Sequence, residues 1–125
     1  INREKIPIYG DGKNIRDWLF VDDHCDSIEL IFRKGLIGET YNIGGDYEIS
    51  NIDLAYFIIK IFDEIKSNPA GFSKNLIQFV DDRAGHDFRY AIDHNKITKE
   101  LGWRPKTNFY DGVNETIKWY LKNLS

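Results

Sequence analysis

Four basic or polar residues stand where predicted strands and helices begin or end, and their types suit an anionic ligand: Arg16, Asn51, Arg83 and His86. Arg16 lies in an otherwise half-apolar segment, and Arg83 opens a dense polar loop after an apolar strand. A guanidinium donates two parallel hydrogen bonds to phosphate oxygens, each charged bond contributing about 1.5–3 kcal/mol. The two arginines therefore predict an anion site. Asn51 has an alternative role, since it stands at a helix start that it could cap.

Other common catalytic or cofactor patterns are missing from the sequence. The Gly10-x-Gly12-Lys13 stretch is too short for a phosphate-binding loop, and it precedes a strand rather than a helix. No G-x-G-x-x-G pattern occurs, so we expect no dinucleotide site in this chain. The histidines His24, His86 and His94 lack the spacing of metal ligands, so we expect no metal site.

Length and composition indicate one domain with a core of its own. The 125 residues are 42% hydrophobic and 14% aromatic. The net charge of 17 − 20 = −3 is too small and too scattered to favour nucleic acid or an anionic membrane as partner. Apolar runs fall far short of the roughly 20 residues that span a bilayer. The lone Cys25 fits a reducing cytoplasm, where we place the protein.

The first half of the chain predicts a β-hairpin and two helices. Strands at Ile6–Tyr9 and residues 15–21 flank an Asp-Gly turn, which is a hairpin signal. A helix capped by Asp22-Asp23 runs to Gly35, with Cys25, Ile28, Ile31 and Phe32 at helical spacing. A strand follows at residues 40–43. Ser50 and Asp53 then resemble a capping box for a helix whose apolar stripe is Leu54, Phe57, Ile58, Ile61, Phe62 and Ile65.

The second half predicts two strands and two further helices. The strands are expected at residues 76–80 and 90–92. Asp93 caps a two-turn helix that buries Ile97 and Leu101 and ends at Gly102. The last helix starts at Asp111 and faces inward with Val113, Ile117, Tyr120 and Leu121. The predicted fold class is α+β (α/β), with three to four helices packed on short strands.

Four stretches, in order along nearly the whole chain, carry a resemblance to a known family. They are Pro7-Ile8-Tyr9-Gly10-x-Gly12-x-x-Ile15-Arg16-Asp17-Trp18-Leu19-Phe20-Val21-x-Asp23-His24, Gly38-Glu39-Thr40-Tyr41-Asn42-Ile43-Gly44-Gly45, Asp82-Arg83-x-Gly85-His86-Asp87-x-Arg89-Tyr90-Ala91-Ile92-Asp93 and Leu101-Gly102-Trp103-x-Pro105. Together they resemble the C-terminal part of the dTDP-glucose 4,6-dehydratases, a branch of the extended short-chain dehydrogenases/reductases. One departure is Ala84, where the family usually has proline.

The resemblance implies a substrate-binding domain, residues 1–125, within a longer NAD-dependent lyase that is a cytoplasmic homodimer. In that family an N-terminal Rossmann domain holds NAD and the catalytic residues, so this chain would carry no catalytic and no cofactor-binding residue and would be inactive alone. The absence of methionine and the start at Ile1 fit this expectation. The implied reaction oxidises a dTDP-linked glucose at C4, removes water across C5 and C6, and returns hydride to C6.

The resemblance also implies roles for six residues toward a dTDP-sugar. Pro7 and Tyr9 would line the thymine pocket. Arg16 and Asn51 would contact the diphosphate. Arg83 and His86 would complete the grip near the diphosphate and the sugar. Two tyrosines followed four residues later by lysine, Tyr9–Lys13 and Tyr56–Lys60, imitate the family's proton-relay pair, but we interpret both as structural.

Alternatives remain at this stage. Another NAD-dependent sugar-nucleotide enzyme, a UDP-sugar epimerase or a UDP-glucuronate decarboxylase, shares the Arg16-Asp17 and Tyr41-Asn42 elements, whereas the Gly85-His86-Asp87 loop favours the dehydratase. A non-catalytic module that binds nucleotide sugars is a further possibility. Pro7 and Tyr9 alone do not distinguish thymine from uracil.

Overall fold

The computed structural model describes residues 1–124, which form four α-helices, four short strands and one 3₁₀ helix. The strands are β1 (Ile6–Tyr9), β2 (Ile15–Asp17), β3 (Glu48–Ser50) and β4 (Ile77–Val80). The helices are α1 (Val21–Lys34), α2 (Asn51–Ile65), α3 (Asn95–Leu101) and α4 (Phe109–Asn123), and the 3₁₀ helix is Phe72–Leu76. The predicted α+β class is confirmed. Within residues 1–124 no helix combines the length and apolar character needed to cross a membrane.

The strands form two separate two-stranded sheets, so the predicted hairpin is wrong. β1 pairs in parallel with β4, from Ile6 opposite Ile77 to Tyr9 opposite Val80, whereas β2 pairs antiparallel with β3. The predicted turn does form, with the N–H of Gly12 donating to the carbonyl of Tyr9 at 3.0 Å. This turn leads into β2 of the other sheet instead of folding the chain back along β1. The partner of β1 is the apolar strand β4, and Ile8 is buried in that parallel pair. The strand predicted for residues 15–21 ends at Asp17.

Two other predicted strands are also absent from the described residues. Residues 40–43 form no ladder; instead the Lys96 ammonium donates to the carbonyl of Thr40 at 3.0 Å, and the Tyr41 hydroxyl donates to Glu100 at 2.9 Å. Residues 90–92 are irregular, and only a single parallel bridge joins Ile15 to the segment before them. Side-chain bonds and one bridge therefore replace the pairing that the apolar pattern predicted.

The helices follow the sequence more closely, but two predicted caps are wrong. Helix α1 already begins at Val21, after Phe20, and α3 begins at Asn95, after His94, so neither Asp22-Asp23 nor Asp93 is the cap residue. The Ser50–Asp53 capping box is confirmed, because the Asp53 N–H donates to Ser50 Oγ at 3.1 Å. Gly102 ends α3 with a φ of +74°, a left-handed conformation that favours glycine. The cap of α4 is Asn108, whose side chain accepts from the Tyr110 N–H at 2.9 Å, so this helix begins two residues before its predicted start.

The core is small, and several predicted inward faces are exposed. The buried apolar residues are Ile8, Leu54, Ala55, Ile59, Ile97, Trp103 and Ile117. The α2 stripe is buried at Leu54 but exposed at Ile58 and Ile65, and Tyr120 of α4 is exposed as well. On α1, Phe32 is 90% exposed. Helical spacing predicted apolar faces correctly, but it could not tell which of them this chain covers by itself.

A buried carboxylate fixes the segment that leads into β4. Asp63 of α2 is 1% exposed and accepts hydrogen bonds from the Ser73 N–H (3.1 Å), the Ser73 hydroxyl (2.6 Å) and the Asn68 side chain (3.2 Å). Burial alone would raise the pKa of Asp63, but the bonds from Ser73 and Asn68 outweigh it and lower the pKa below its usual value of 3.8. The ionised carboxylate therefore stabilises the fold.

We predict that Asp63→Asn lowers the melting temperature of the protein by several degrees, because the amide nitrogen would face a donor. A lowered carboxyl pKa contributes stability above the unfolded value of 3.8 that is lost as the pH falls through the folded value. The difference from the unmodified protein should therefore shrink in acid. Thermal unfolding from neutral pH downward checks this, and a difference that grows in acid would contradict it.

Candidate functional site

The candidate site lies where the parallel strands β1 and β4 end. The Gly10 N–H donates to the carbonyl of Val80 at 2.9 Å, which brings the ends of the two strands together. The loop after β4 contains a turn closed by the His86 N–H on the carbonyl of Arg83 at 3.3 Å. Gly85, third in that turn, has a φ of +71°, as a type II turn requires. The turn forms with Ala84 at its second position.

Arg16, in the middle of β2, is anchored by three acceptors. Its Nη1 donates to the carbonyl of Ile15 at 2.6 Å, and its Nη2 lies 2.8 Å from His86 Nε2 and 2.9 Å from the carbonyl oxygen of Asp87. The ring of Tyr90 lies under the guanidinium, 4.4 Å from its carbon. Both Nη2 hydrogens are thus engaged, and one hydrogen each remains on Nε and Nη1. Arg16 therefore provides a positive charge held in a fixed position, but not two free parallel donors on its terminal nitrogens.

His86 connects this arginine to an acidic residue. Its side chain is 5% exposed, and its Nδ1 lies 2.7 Å from Asp82 Oδ1. Because a guanidinium only donates, His86 Nε2 must accept from Arg16, which leaves the proton on Nδ1, facing Asp82. The geometry therefore selects one neutral tautomer of the imidazole.

Arg83 has the free guanidinium of the cluster, a name used here for Tyr9, Arg16, Arg83 and His86. It is exposed, and within residues 1–124 its side chain makes no hydrogen bond or ion pair; its guanidinium carbon lies 5.7 Å from the centre of the Tyr9 ring. Tyr9 is 46% exposed and meets the His86 ring edge-on at 6.3 Å. The structure thus brings four of the six predicted site residues together: Tyr9, Arg16, Arg83 and His86.

The neighbouring ionisable groups are paired with one another. The Tyr90 hydroxyl donates a short hydrogen bond to Asp87, and that bond and the carboxylate charge raise the pKa of Tyr90. Arg89 binds both oxygens of Glu48, which raises the pKa of Arg89 and lowers that of Glu48. Within the cluster, Arg83 therefore remains the cation best able to bind an incoming anion through two donors.

Pro7 and Asn51 lie apart from these contacts. Pro7 is exposed on β1, opposite Gln78. Asn51 is the first residue of α2, and its N–H donates to the carbonyl of Asn14 at 3.0 Å. The capping role left open for Asn51 is wrong, since Ser50 caps the helix. No hydrogen bond or ring contact among the described residues joins Pro7 or Asn51 to the other four.

Sequence reasoning missed the supporting acidic residues. Asp17, next to Arg16, accepts from the N–H groups of Gly45 (2.8 Å) and Tyr47 (3.1 Å) and so holds the loop before β3. A Cβ at Gly45 would lie 2.0 Å from the carbonyl oxygen of Trp18, so only glycine fits there. Asp82 is also absent from the predicted site residues, although an aspartate four residues before a histidine is a spacing that can indicate such a pair.

The two tyrosine–lysine pairs take part in other contacts. Lys13 pairs with Asp11 at 3.1 Å, with both side chains exposed. Tyr56 faces the Lys74 ammonium, which lies 5.4 Å from its ring centre. In residues 1–124 no group of three or more His, Cys, Asp or Glu side chains is arranged to hold a metal ion.

The fold is that of the C-terminal part of an extended short-chain dehydrogenase/reductase. Residues 1–116 match the family described as GDP-mannose 4,6 dehydratase, and the chain belongs to that family. It is 49% identical over 123 residues to a probable dTDP-glucose 4,6-dehydratase of Sinorhizobium fredii, which confirms the resemblance seen in the sequence. The match covers 98% of this chain and 35% of the relative, so the chain spans about a third of that protein's length.

Solved structures agree with this assignment. A dTDP-glucose 4,6-dehydratase from Streptomyces venezuelae, with NAD bound, superposes with a TM-score of 0.80 at 40% identity, over 96% of this chain and 35% of that one. A UDP-glucose 4-epimerase from Thermotoga maritima, with UDP-glucose, gives a TM-score of 0.78 at 28% identity, over 98% of this chain and 37% of that one. The fold is thus common to both enzymes, while sequence identity favours the dehydratase.

The different positions of Ser50 and Asn51 give a test by substitution. Ser50→Ala should lower the free energy of unfolding by about 1 kcal/mol, because the Asp53 N–H loses its acceptor. Asn51→Ala should change it by less than about 0.5 kcal/mol, because the Asn51 side chain makes no hydrogen bond among the described residues and its N–H bond to Asn14 is kept. Denaturant unfolding of both variants checks this, and the reverse order would return the capping role to Asn51.

Proposed function

We propose that this chain is the nucleotide-sugar-binding part of an NAD-dependent dTDP-glucose 4,6-dehydratase. The enzyme would convert dTDP-glucose to dTDP-4-dehydro-6-deoxyglucose for deoxysugar biosynthesis, such as that of rhamnose. The observation that carries the proposal is that two arginines meet at the loop after β4: Arg83 lies in this loop with a free guanidinium, and Arg16 of β2 is bonded to His86 of the same loop. A dianionic diphosphate needs this combination of charge and donors.

In this proposal each part of the cluster meets a different part of the ligand. Arg83 binds diphosphate oxygens with two donors, and Arg16 adds its charge and its remaining N–H groups. Asn51, whose side chain is not used as a cap, donates to the same diphosphate. Tyr9, half exposed at the end of β1, offers its ring face to the base, with Pro7 alongside.

The chemical step belongs to another part of the protein. The relatives are about three times as long as this chain, and we infer that residues 1–125 form their C-terminal domain, beside an N-terminal Rossmann domain. NAD bound there would accept and return the hydride. The site residues of this chain would only bind and orient the sugar nucleotide, directly or through a neighbour, so the chain alone would be inactive. We further infer a cytoplasmic lyase that acts as a homodimer, as the resemblance implies.

The second candidate is a UDP-sugar epimerase or UDP-glucuronate decarboxylase. The similarity of fold to the UDP-glucose 4-epimerase favours it. UDP-glucose and dTDP-glucose both carry a diphosphate, so the two arginines would suit either substrate. A nucleotide-sugar-binding module without catalysis is the third reading. Turnover of dTDP-glucose by the full-length protein would support the dehydratase. Binding of nucleotide sugars with no turnover of any of them would support the non-catalytic module.

We predict that Arg83→Ala in the full-length protein raises the Michaelis constant for dTDP-glucose at least roughly tenfold, because charge-assisted bonds of about 1.5–3 kcal/mol are lost. The affinity for NAD should stay nearly unchanged. Steady-state kinetics and NAD titration check both. An equal loss of NAD binding would show that the loop serves a different ligand.

Base preference separates the two enzyme candidates. If Pro7 and Tyr9 form a thymine pocket, dTDP should displace bound nucleotide sugar at lower concentration than UDP does. Competition titration of the full-length protein with the two nucleoside diphosphates checks this. A preference for UDP would favour the epimerase or decarboxylase.

A further inference from the structure

The buried side chain of His86 has a different role from the arginines around it. Its side chain is 5% exposed, and both ring nitrogens are already bonded, Nδ1 to Asp82 and Nε2 to Arg16. A ligand outside the cluster would have to break one of these bonds to reach the imidazole. The geometry thus argues against direct contact between His86 and a nucleotide sugar.

We propose that Asp82 and His86 are positioning residues that act on the ligand through Arg16; this inference rests on the proposed function. Asp82 accepts the Nδ1 proton and thereby keeps the lone pair of Nε2 directed at Arg16. That lone pair holds one Nη2 hydrogen, and the carbonyl of Asp87 holds the other. The guanidinium plane is set before the anion arrives.

The orientation depends on the tautomer. With the proton on Nε2 instead, two N–H groups would face each other across the 2.8 Å that now separates Nε2 from Arg16 Nη2. The guanidinium would then have to turn away from the imidazole. Asp82 prevents this because its carboxylate accepts from Nδ1, so it controls an arginine that it does not touch.

The hydrogen bonds from Asp82 through His86 to Arg16, called the relay below, leave some N–H donors of Arg16 free. A guanidinium has five N–H donors, and the bonds to Ile15, His86 and Asp87 use three of those on Arg16. The described residues offer no acceptor for Nε–H and the second Nη1–H. These two donors belong to a guanidinium that lies over the Tyr90 ring, and they remain available to a ligand.

The test compares two amides at position 86 in the full-length protein. The oxygen of glutamine can reach the position of Nε2 and accept from Arg16, whereas asparagine is too short to do so. His86→Asn should raise the dissociation constant for dTDP and the Michaelis constant for dTDP-glucose about tenfold with kcat nearly unchanged. His86→Gln should stay within about threefold of the unmodified protein. His24→Asn, at an exposed position on α1, is the matched control.

A spectroscopic measurement tests the same relay without activity. In protein with ¹⁵N-labelled histidine, the signal lost in His86→Gln identifies His86, and its nitrogen shifts should show Nδ1 protonated and Nε2 bare. Asp82→Ala should bring the two nitrogens toward a mixture of tautomers. A proton on Nε2 in the unmodified protein would overturn the proposal.

The outcomes separate this inference from the proposed function. If dTDP binds and the glutamine and asparagine variants weaken it equally, the relay is wrong and the nucleotide site stands. If neither dTDP nor UDP binds the unmodified protein, the proposed function fails, and the claim that the relay serves a diphosphate fails with it. The tautomer measurement then still decides whether Asp82 sets the imidazole.

Discussion

Hydrogen bonding on both edges of the three-residue strand β2 is the constraint on which the site depends. On one edge it pairs with β3. On the other, the Ile15 N–H donates to the carbonyl of Phe88 at 2.7 Å, and the Tyr90 N–H donates to the carbonyl of Ile15 at 3.1 Å. These bonds hold the loop after β4 against β2, although about seventy residues separate them. Arg16 thereby meets His86, and Asp17 meets the loop before β3.

The start of α2 completes the same framework from the other side. The first N–H groups of a helix lack partners within it, and here they are satisfied outside. Asn51 donates to the carbonyl of Asn14, Ile52 donates to that of Gly12 at 2.9 Å, and Asp53 donates to Ser50. The turn after β1 is therefore tied to the helix, and Tyr9 before it is held at the cluster's edge.

Local signals in the sequence were sufficient for the parts that are locally determined. The α2 cap at Ser50 and the end of α3 at Gly102 follow from neighbouring residues. The pairing of the strands does not. An Asp-Gly turn favours a hairpin, but β1 found its partner some seventy residues away, where a parallel pair buries Ile8. The contact of Asp82 and His86 with Arg16 depends on that long-range pairing, so spacing could not predict it.

Similarity of fold alone does not choose the reaction, because a dehydratase and an epimerase share this scaffold at nearly equal TM-scores. The diphosphate does not choose it either, since both classes of substrate carry one. Discrimination has to come from the ends of the ligand. In the proposed site Tyr9 touches the imidazole that orients Arg16 and lies under the guanidinium of Arg83. If Tyr9 binds the base as proposed, a base that moves its ring would also disturb the diphosphate contacts, and base recognition would be coupled to the positioning of the sugar.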